Sequence, residues 1–406
     1  MIRLLFFTFI LLALLGDARI FLFIMNRVVF GDHRDEKSPW SPLLYIAPPL
    51  LLAFTLLFWP LSRWIDRLLS WRIFDRIESE RFESIVWSIA LAKVGLFWLI
   101  IAASVGLLWI VERIRVNALG EVPIAGVRSL PSSTVKLRKA HIPFASLRKL
   151  GAHNDLYDLE VTKHEIFIEE LDEAFDGYRI AFLTDTHVAS FVRRGYYRAL
   201  HDEVRNFDPD LILLGGDFVS FERHIELMAE VICAELAARD GVYAVLGNHD
   251  YWSNAEHVRA AMEARGVRFL INRNTTLRRG TAKLPLVGID EIYRGTPDVD
   301  AAFAGLDIAQ PAIGVSHHPD VIDLLDVSGR RLDLLLCGHT HGGQIRFPFF
   351  GSVVVPSRHE GLYSAGFHRV RNVLMYVSRG IGAIPPLRIL CPPELATFTL
   401  RRGRRT

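Results

Sequence analysis

Cysteine is scarce in this chain, and its scarcity excludes two classes of protein. Cys233, Cys337 and Cys391 stand far apart and are odd in number. They make neither a disulfide framework nor a zinc ribbon, so buried thiols are expected. An excess of one charge is also missing. With 47 Lys and Arg against 45 Asp and Glu, the formal net charge is +2. The whole-chain balance gives nucleic acid no electrostatic footprint. No nucleic-acid partner is expected, and no obligate protein partner is inferred.

What the chain has in abundance is apolar surface. Hydrophobic residues fill 50% of its 406 positions, and the mean hydropathy of +0.24 is high for a soluble enzyme. The excess lies at the N-terminus. Residues 43–61 and 94–111 each run without a charge, close to the roughly 20 apolar residues that cross a bilayer. Trp59, Trp98 and Trp109 lie towards the ends of these runs, as interfacial aromatics do. A third run, 4–15, is interrupted by Asp17 and Arg19 and resumes at 20–25. It reads either as a signal peptide or as a third span, and three spans are expected. Asp17 is then either a functional charge within the membrane or an end-of-span residue reaching the headgroups.

Between the second and third runs, Arg63, Arg67, Arg72, Arg76 and Arg81 alternate with acids and with Trp64, Leu68 and Phe74. This reads as an amphipathic helix at a membrane surface or as an ordinary connecting helix with i, i+4 pairs. Basic residues set topology. Their distribution puts the N-terminus in the cytoplasm and the C-terminal portion outside. The expected organisation is a transmembrane region over 1–115, a Pro- and Ser-bearing tether over 116–155, and a catalytic domain over 156–406. The expected location is the cell membrane, multi-pass, with the catalytic domain extracytoplasmic.

From about Leu156, short apolar runs alternate with helical stretches. Strands are expected over 178–184, 211–214, 242–246, 284–289, 312–316, 332–336, 353–355 and 373–377, and helices over 190–207, 222–238 and 254–265. This is the pattern of an α/β sheet with helices outside it, and the strand-rich end adds a second sheet. Ligands in such folds bind beyond the carboxyl ends of the strands. The polar residues fall there: Asp185-Thr186-His187, Gly216-Asp217, Gly247-Asn248-His249-Asp250, His317-His318-Pro319 and Gly338-His339-Thr340-His341. Singly, each is more often a polar turn. Five in order, each closing an apolar run, are hard to place as unrelated turns. In an extended segment His339 and His341 point the same way, an arrangement suited to a metal. The bland alternative is two surface histidines in a loop.

This ordered set resembles the calcineurin-like metallophosphoesterase superfamily over roughly residues 156–406. Gly361-Leu362-Tyr363, Ser378-Arg379-Gly380-Ile381-Gly382 and Pro393-Glu394-Leu395 are similar to its membrane-associated bacterial branch, the YkuE/YaeI-like proteins. The resemblance implies a four-layer α/β sandwich, two β-sheets flanked by helices, behind the helical transmembrane region. It also implies two divalent metal ions. Carried over residue by residue, Asp185, His187 and His341 complete the first metal, Asn248, His317 and His339 the second, and Asp217 bridges them. His249 matches the non-ligand histidine that binds the phosphoryl group or protonates the leaving oxygen. Mixed nitrogen and oxygen ligands suit Mn, Fe, Zn or Co.

The chemistry agrees with the residue types. Hydrolysing a phosphate ester at neutral pH needs a hydroxide and neutralisation of phosphoryl charge, which two cations about 3.5–4 Å apart supply. The Phe218-Val219-Ser220 that follows Asp217 is not the Asp-Arg-Gly of the protein serine/threonine phosphatase branch. Ser220 is expected to cap a helix, and His318 to lie in a turn or face substrate. Arg346, Arg358 and Arg388 are candidates for phosphate or headgroup contact. The aromatic loop after Gln344 either meets an acyl chain or bilayer or packs as a strand end.

The expected function is hydrolysis of a phosphodiester or pyrophosphate bond in a lipid-linked or amphiphilic substrate. Soluble nucleotides or phosphoproteins are the alternative, and a non-catalytic metal-stabilised scaffold is the reading from another class.

Overall fold

The computed structural model describes residues 8, 12–13, 15–17, 19–20, 97–111, 124–136, 154–189, 194–307, 309–328, 330–348, 351–352, 354–359 and 361–403. The chain divides into two compact units, residues 1–120 with 349–351, and residues 121–348 with 352–406.

In the first unit, helical residues near the N-terminus pack on a helix over 97–111 through Leu12, Ala13, Leu99, Ala102 and Ala103. Asp17 is buried there and accepts a 3.1 Å hydrogen bond from the Trp98 indole. Its carboxylate is thus tied to a neighbouring helix. No helix among the described residues is long and apolar enough to cross a membrane. The uncharged run 43–61 and the arginine-rich segment 63–83 lie outside the described residues.

The second unit is built on two large sheets. The first has β1 (Val127–Lys136), β2 (Asp158–Ile168), β3 (Arg179–Leu183), β4 (Leu211–Leu214), β5 (Val242–Ala244) and β6 (Val267–Phe269). The second has β7 (Arg273–Arg279), β8 (Ala282–Gly288), β9 (Ile313–Val315), β10 (Leu334–Cys337), β11 (Gly366–Val370) and β12 (Val373–Val377). The last strand, β13 (Glu394–Arg402), returns to the first sheet. The orders are β1-β2-β13-β3-β4-β5-β6 and β11-β12-β10-β9-β8-β7. Neighbours within β3 to β6 and within β8-β9-β10-β12 run parallel. Parallel strands covered on both faces read as continuous apolar runs, which is why Leu211–Leu214 and Leu334–Leu336 stand out in the sequence.

Alternation along these strands builds the layers. Ile180, Phe182, Leu211 and Leu213 face Leu334, Leu336, Leu374 and Tyr376 in the core between the sheets. Their neighbours Ala181, Leu183, Ile212 and Leu214 turn outward onto helices α1 (Arg194–Phe207) and α3 (Ala255–Glu263). Leu335, Cys337, Met375 and Val377 turn the other way onto Ile322 and Leu325 of α4 (Ile322–Ser328). Between α1 and α3 lies the short α2 (Asn248–Ser253). The result is helix, sheet, sheet, helix.

Two expectations are corrected. The tether over 116–155 contains a strand: β1 pairs antiparallel with β2 from Val127↔Ile166 to Lys136↔Asp158. Its side chains are mostly exposed and it carries Pro131, where the register shifts between Leu130 and Ser133. A proline at a bulge in a polar edge strand leaves no apolar period to read. The helix expected over 222–238 is broken into a 3₁₀ turn, a short α segment and a π turn, Glu222–His224, Ile225–Met228 and Ala229–Cys233.

Candidate metal centre

The polar residues picked out of the sequence meet at the carboxyl ends of β3, β4, β5, β9 and β10. Asp185, His187 and His341 form one cluster, and Asp217, His317 and His339 another, with His187, Asp217 and His249 between them. Asp217 sits at the junction. Its Oδ2 lies 3.5 Å from Nε2 of His187 and 3.3 Å from Nε2 of His317. Nε2 of His187 is 3.0 Å from Nε2 of His341, which is 3.5 Å from Asp185 Oδ1. On the other side, Asn248 Oδ1 lies 2.9 Å from Nδ1 of His339 and 3.2 Å from Nε2 of His317.

Backbone conformation puts the side chains there. Asp185, His187, Asp217, His339 and His341 have φ of 53°, 41°, 53°, 69° and 52°. Each left-handed non-glycine residue costs on the order of 1 kcal/mol, and such strain concentrates at functional sites. This overturns the extended reading of the His339–His341 segment. Instead of pointing the same way, His339 turns to Asn248 and His317 while His341 turns to His187. Two glycines permit the close approach. A Cβ on Gly338 would stand 2.2 Å from Thr184 Oγ1, and one on Gly247 2.2 Å from Asp217 Oδ1.

Neighbours fix the rings and the turns. His317 Nδ1 lies 2.7 Å from the Gly215 carbonyl, so it donates there and turns the lone pair of Nε2 into the cleft. His187 Nδ1 is 3.1 Å from the Ser220 hydroxyl. Asp185 accepts from Thr184 Oγ1 at 2.8 Å and from the His339 amide at 3.0 and 3.1 Å. Asp250 is fully buried and accepts from the amides of Asp217, Phe218 and Gly247 at 2.8, 2.8 and 2.9 Å. One carboxylate thereby joins the loops after β4 and β5.

The electrostatics suit cations. Burial lowers His187 to about 3 and takes His339 and His341 well below the usual imidazole range. Neutral imidazole is the metal-binding form. Burial also opposes charge on His317, yet Asp217 and Asp185 outweigh it and push the ring up to about 10. Burial, with the Asp217 charge adding to it against His317, pushes Asp185 up to about 7. Asp217 is held well below the carboxylate range, because His317 and His187 overcome its burial. Two buried acids thus stand among three imidazoles held neutral and one, His317, that the acids hold charged; a bound cation would take over that positive charge.

The spacing fits as well. Ligands about 2.0–2.1 Å from one metal stand about 2.9–3.4 Å apart across octahedral and tetrahedral edges. The donor pairs above fall on or next to that interval. The residues fit metal.

The structure places five other features picked out of the sequence. Ser220 touches His187 instead of capping a helix; Phe221 precedes the next turn. His318 is buried, accepts from the Asp320 amide at 3.1 Å and packs its ring 4.0 Å from that of His339. It lies in a turn, closed off from solvent. Arg388 is fully buried, and its donors are directed at groups within the protein. Its guanidinium donates to the carbonyls of Arg379, Gly380, Gly382 and Cys391 at 2.7–3.2 Å and lies 3.3 Å from His341 Nδ1. Arg358 lies over the Tyr293 ring at 5.7 Å. Phe347 ends the two-residue strand Arg346–Phe347 with its ring exposed, so the segment after Gln344 is a strand end, though not a packed one there.

Comparison with known proteins places this geometry. Residues 178–343 match the calcineurin-like phosphoesterase family. The metallophosphoesterase YkuE of Bacillus subtilis is 29% identical over 250 residues, 60% of this chain and 86% of that protein. The phosphodiesterase YaeI of Escherichia coli is 32% identical over 231 residues, 55% of this chain and 82% of that protein. A transmembrane protein with metallophosphoesterase domain from Danio rerio is 27% identical over 272 residues, 64% of this chain and 61% of that protein. The chain therefore belongs to the calcineurin-like phosphoesterase family, in its YkuE/YaeI-like branch, and is a metal-dependent phosphoester hydrolase.

Proposed function

We propose that this hydrolase holds two divalent cations and cleaves a phosphodiester or pyrophosphate bond in a lipid-linked or amphiphilic substrate. The observation that carries the two-cation reading is Asp217 Oδ2, placed 3.5 Å from His187 and 3.3 Å from His317, one from each cluster. Asp185, His187 and His341 would hold the first ion and Asn248, His317 and His339 the second, with Asp217 placed to serve both. When bound, the ions supply a hydroxide at neutral pH and neutralise charge on the phosphoryl oxygens.

The chain's own residues orient and protonate. The His249 amide donates to Asp217 Oδ1 at 2.7 Å, and its ring meets those of His187 and Trp252 at centroid distances of 4.8 and 4.6 Å. It stands at the mouth of the cleft, where a leaving oxygen takes a proton. Asn248 steadies the attacked phosphoryl group. Mn, Fe, Zn and Co all suit this donor set.

Residues 1–115 are proposed as the membrane anchor, with the catalytic domain on the extracytoplasmic side. The uncharged runs 43–61 and 94–111 and the placement of arginines support this, as does the name of the Danio rerio relative. A lipid-linked substrate follows from that placement.

The test is turnover by the purified full chain. Bis(p-nitrophenyl) phosphate hydrolysis should disappear on chelation and return with Mn. His249→Ala should lower it by about 10²–10⁴-fold, the range of a general acid, with metal content unchanged. Metal-independent turnover, or an unaffected His249→Ala, would overturn the assignment. Comparing lipid phosphates with nucleotides under the same conditions ranks the substrate classes.

A further inference from the structure

Apart from Leu130 on the edge strand β1 and Val354, the large apolar side chains exposed on the second unit follow the strands of the metal centre or their neighbours. Phe221, Trp252, Phe347, Leu362, Ile384 and Leu390 are each between 37% and 57% exposed. They lie on the segments that follow strands bearing the metal centre or beside them, Trp252 within α2 and Phe347 in the two-residue strand Arg346–Phe347, and the following contacts tie these segments to site turns. Phe221 follows Ser220, whose hydroxyl meets His187 at 3.1 Å. Trp252 packs on His249. The Gln344 side-chain amide holds Pro385 and Ile384 at 3.0 and 3.2 Å, and Arg346 N–H donates to the Ile389 carbonyl at 2.9 Å, joining the backbone segments that carry Phe347 and Leu390. Thr340 Oγ1 donates to the Ser364 carbonyl at 2.7 Å, tying in the loop of Leu362.

The outer helices are different. Their exposed faces carry Arg194–Glu230, Arg205–Glu235 and Arg259–Glu263 pairs. Single exposed apolar residues need no explanation, but a patch gathered round one cleft does.

Two cations complete the rim. The Arg223 guanidinium lies 4.6 Å from the Phe221 ring centroid and that of Arg294 5.4 Å from Trp252. Neither makes an ion pair among the described residues. Aromatic rings with guanidinium partners suit the headgroup layer of an anionic bilayer.

We propose that this rim is a bilayer-docking face, which brings the metal cleft down onto an anionic membrane and takes the phosphoester from its surface. The inference rests on the phosphoesterase reading and specifies how its substrate is presented. A protein partner seated on the same rim would cover the cleft between Trp252 and Phe347, whereas a bilayer that carries the substrate delivers it there.

Nitroxide labels at Trp252→Cys, Phe347→Cys and Leu390→Cys, one at a time in the full chain, test it in phosphatidylglycerol nanodiscs. The three native cysteines are buried. Relaxation by oxygen should dominate over relaxation by a soluble nickel chelate at the rim, and the reverse should hold for Asn206→Cys on α1. Exchange of phosphatidylglycerol for phosphatidylcholine should shift the rim labels towards the nickel-accessible state. Rim labels as nickel-accessible as the Asn206 label, in both lipids, would overturn the proposal, including in favour of a protein partner. Hydrolysis of bis(p-nitrophenyl) phosphate by the unlabelled chain separates this failure from that of the catalytic reading, because a soluble substrate needs no docking.

Discussion

Asp217→Ala should abolish measurable hydrolysis, a loss of at least about 10³-fold, and should lower the affinity for both metals together. Removing one ligand from one cluster weakens one ion; removing the shared carboxylate weakens two, and each ion contributes several kcal/mol at a tenfold rate change per 1.36 kcal/mol. The side chain also accepts the His249 amide at 2.7 Å, so the general acid loses its anchor in the same variant. Asp217→Asn keeps the shape but removes the charge between His187 and His317. It should fall nearly as far. Turnover within tenfold of the parent in either variant, with metal content preserved, would remove Asp217 from its role.

The second large effect falls on folding. Asp250→Ala should destabilise the protein by about 3–5 kcal/mol in denaturant unfolding, because it strands buried donors at about 1–3 kcal/mol each. Those donors are the amides of Asp217, Phe218 and Gly247, all buried residues. The loss of alignment between the loops after β4 and β5 should also reduce turnover, although Asp250 itself touches no substrate. A change below about 1 kcal/mol would show that other groups satisfy these amides.

Much of this site is legible from the sequence, for a physical reason. Parallel strands buried on both faces appear as unbroken apolar runs, so the polar residues that close them mark the carboxyl edge where ligands bind. Asp185, Asp217, Asn248, His317 and His339 are found this way. The orientation of the histidines is not. His339 and His341 alternate as if extended, but left-handed backbone at φ of 69° and 52° sends them apart. A period of two carries no record of such a turn.

The rest depends on contacts across the chain. Ser220 meets His187 from another loop, and Arg388 reaches His341 from beyond β12. Neither has a local signal. The same holds for β13, which inserts between β2 and β3 from the far end of the chain, and for β1, whose polar edge looks like linker. Arg388 is instructive in a further way. Full burial among backbone carbonyls is the opposite of the exposed phosphate contact that arginine near a phosphoryl site suggests.

The division of labour within Gly338-His339-Thr340-His341 is the central claim, and metal content by mass spectrometry tests it most directly. The parent chain should carry two ions, His339→Ala one and His341→Ala one, while the double variant should carry none. A double variant that still holds one ion would mean both histidines serve the same metal, and the two-cluster assignment would fail.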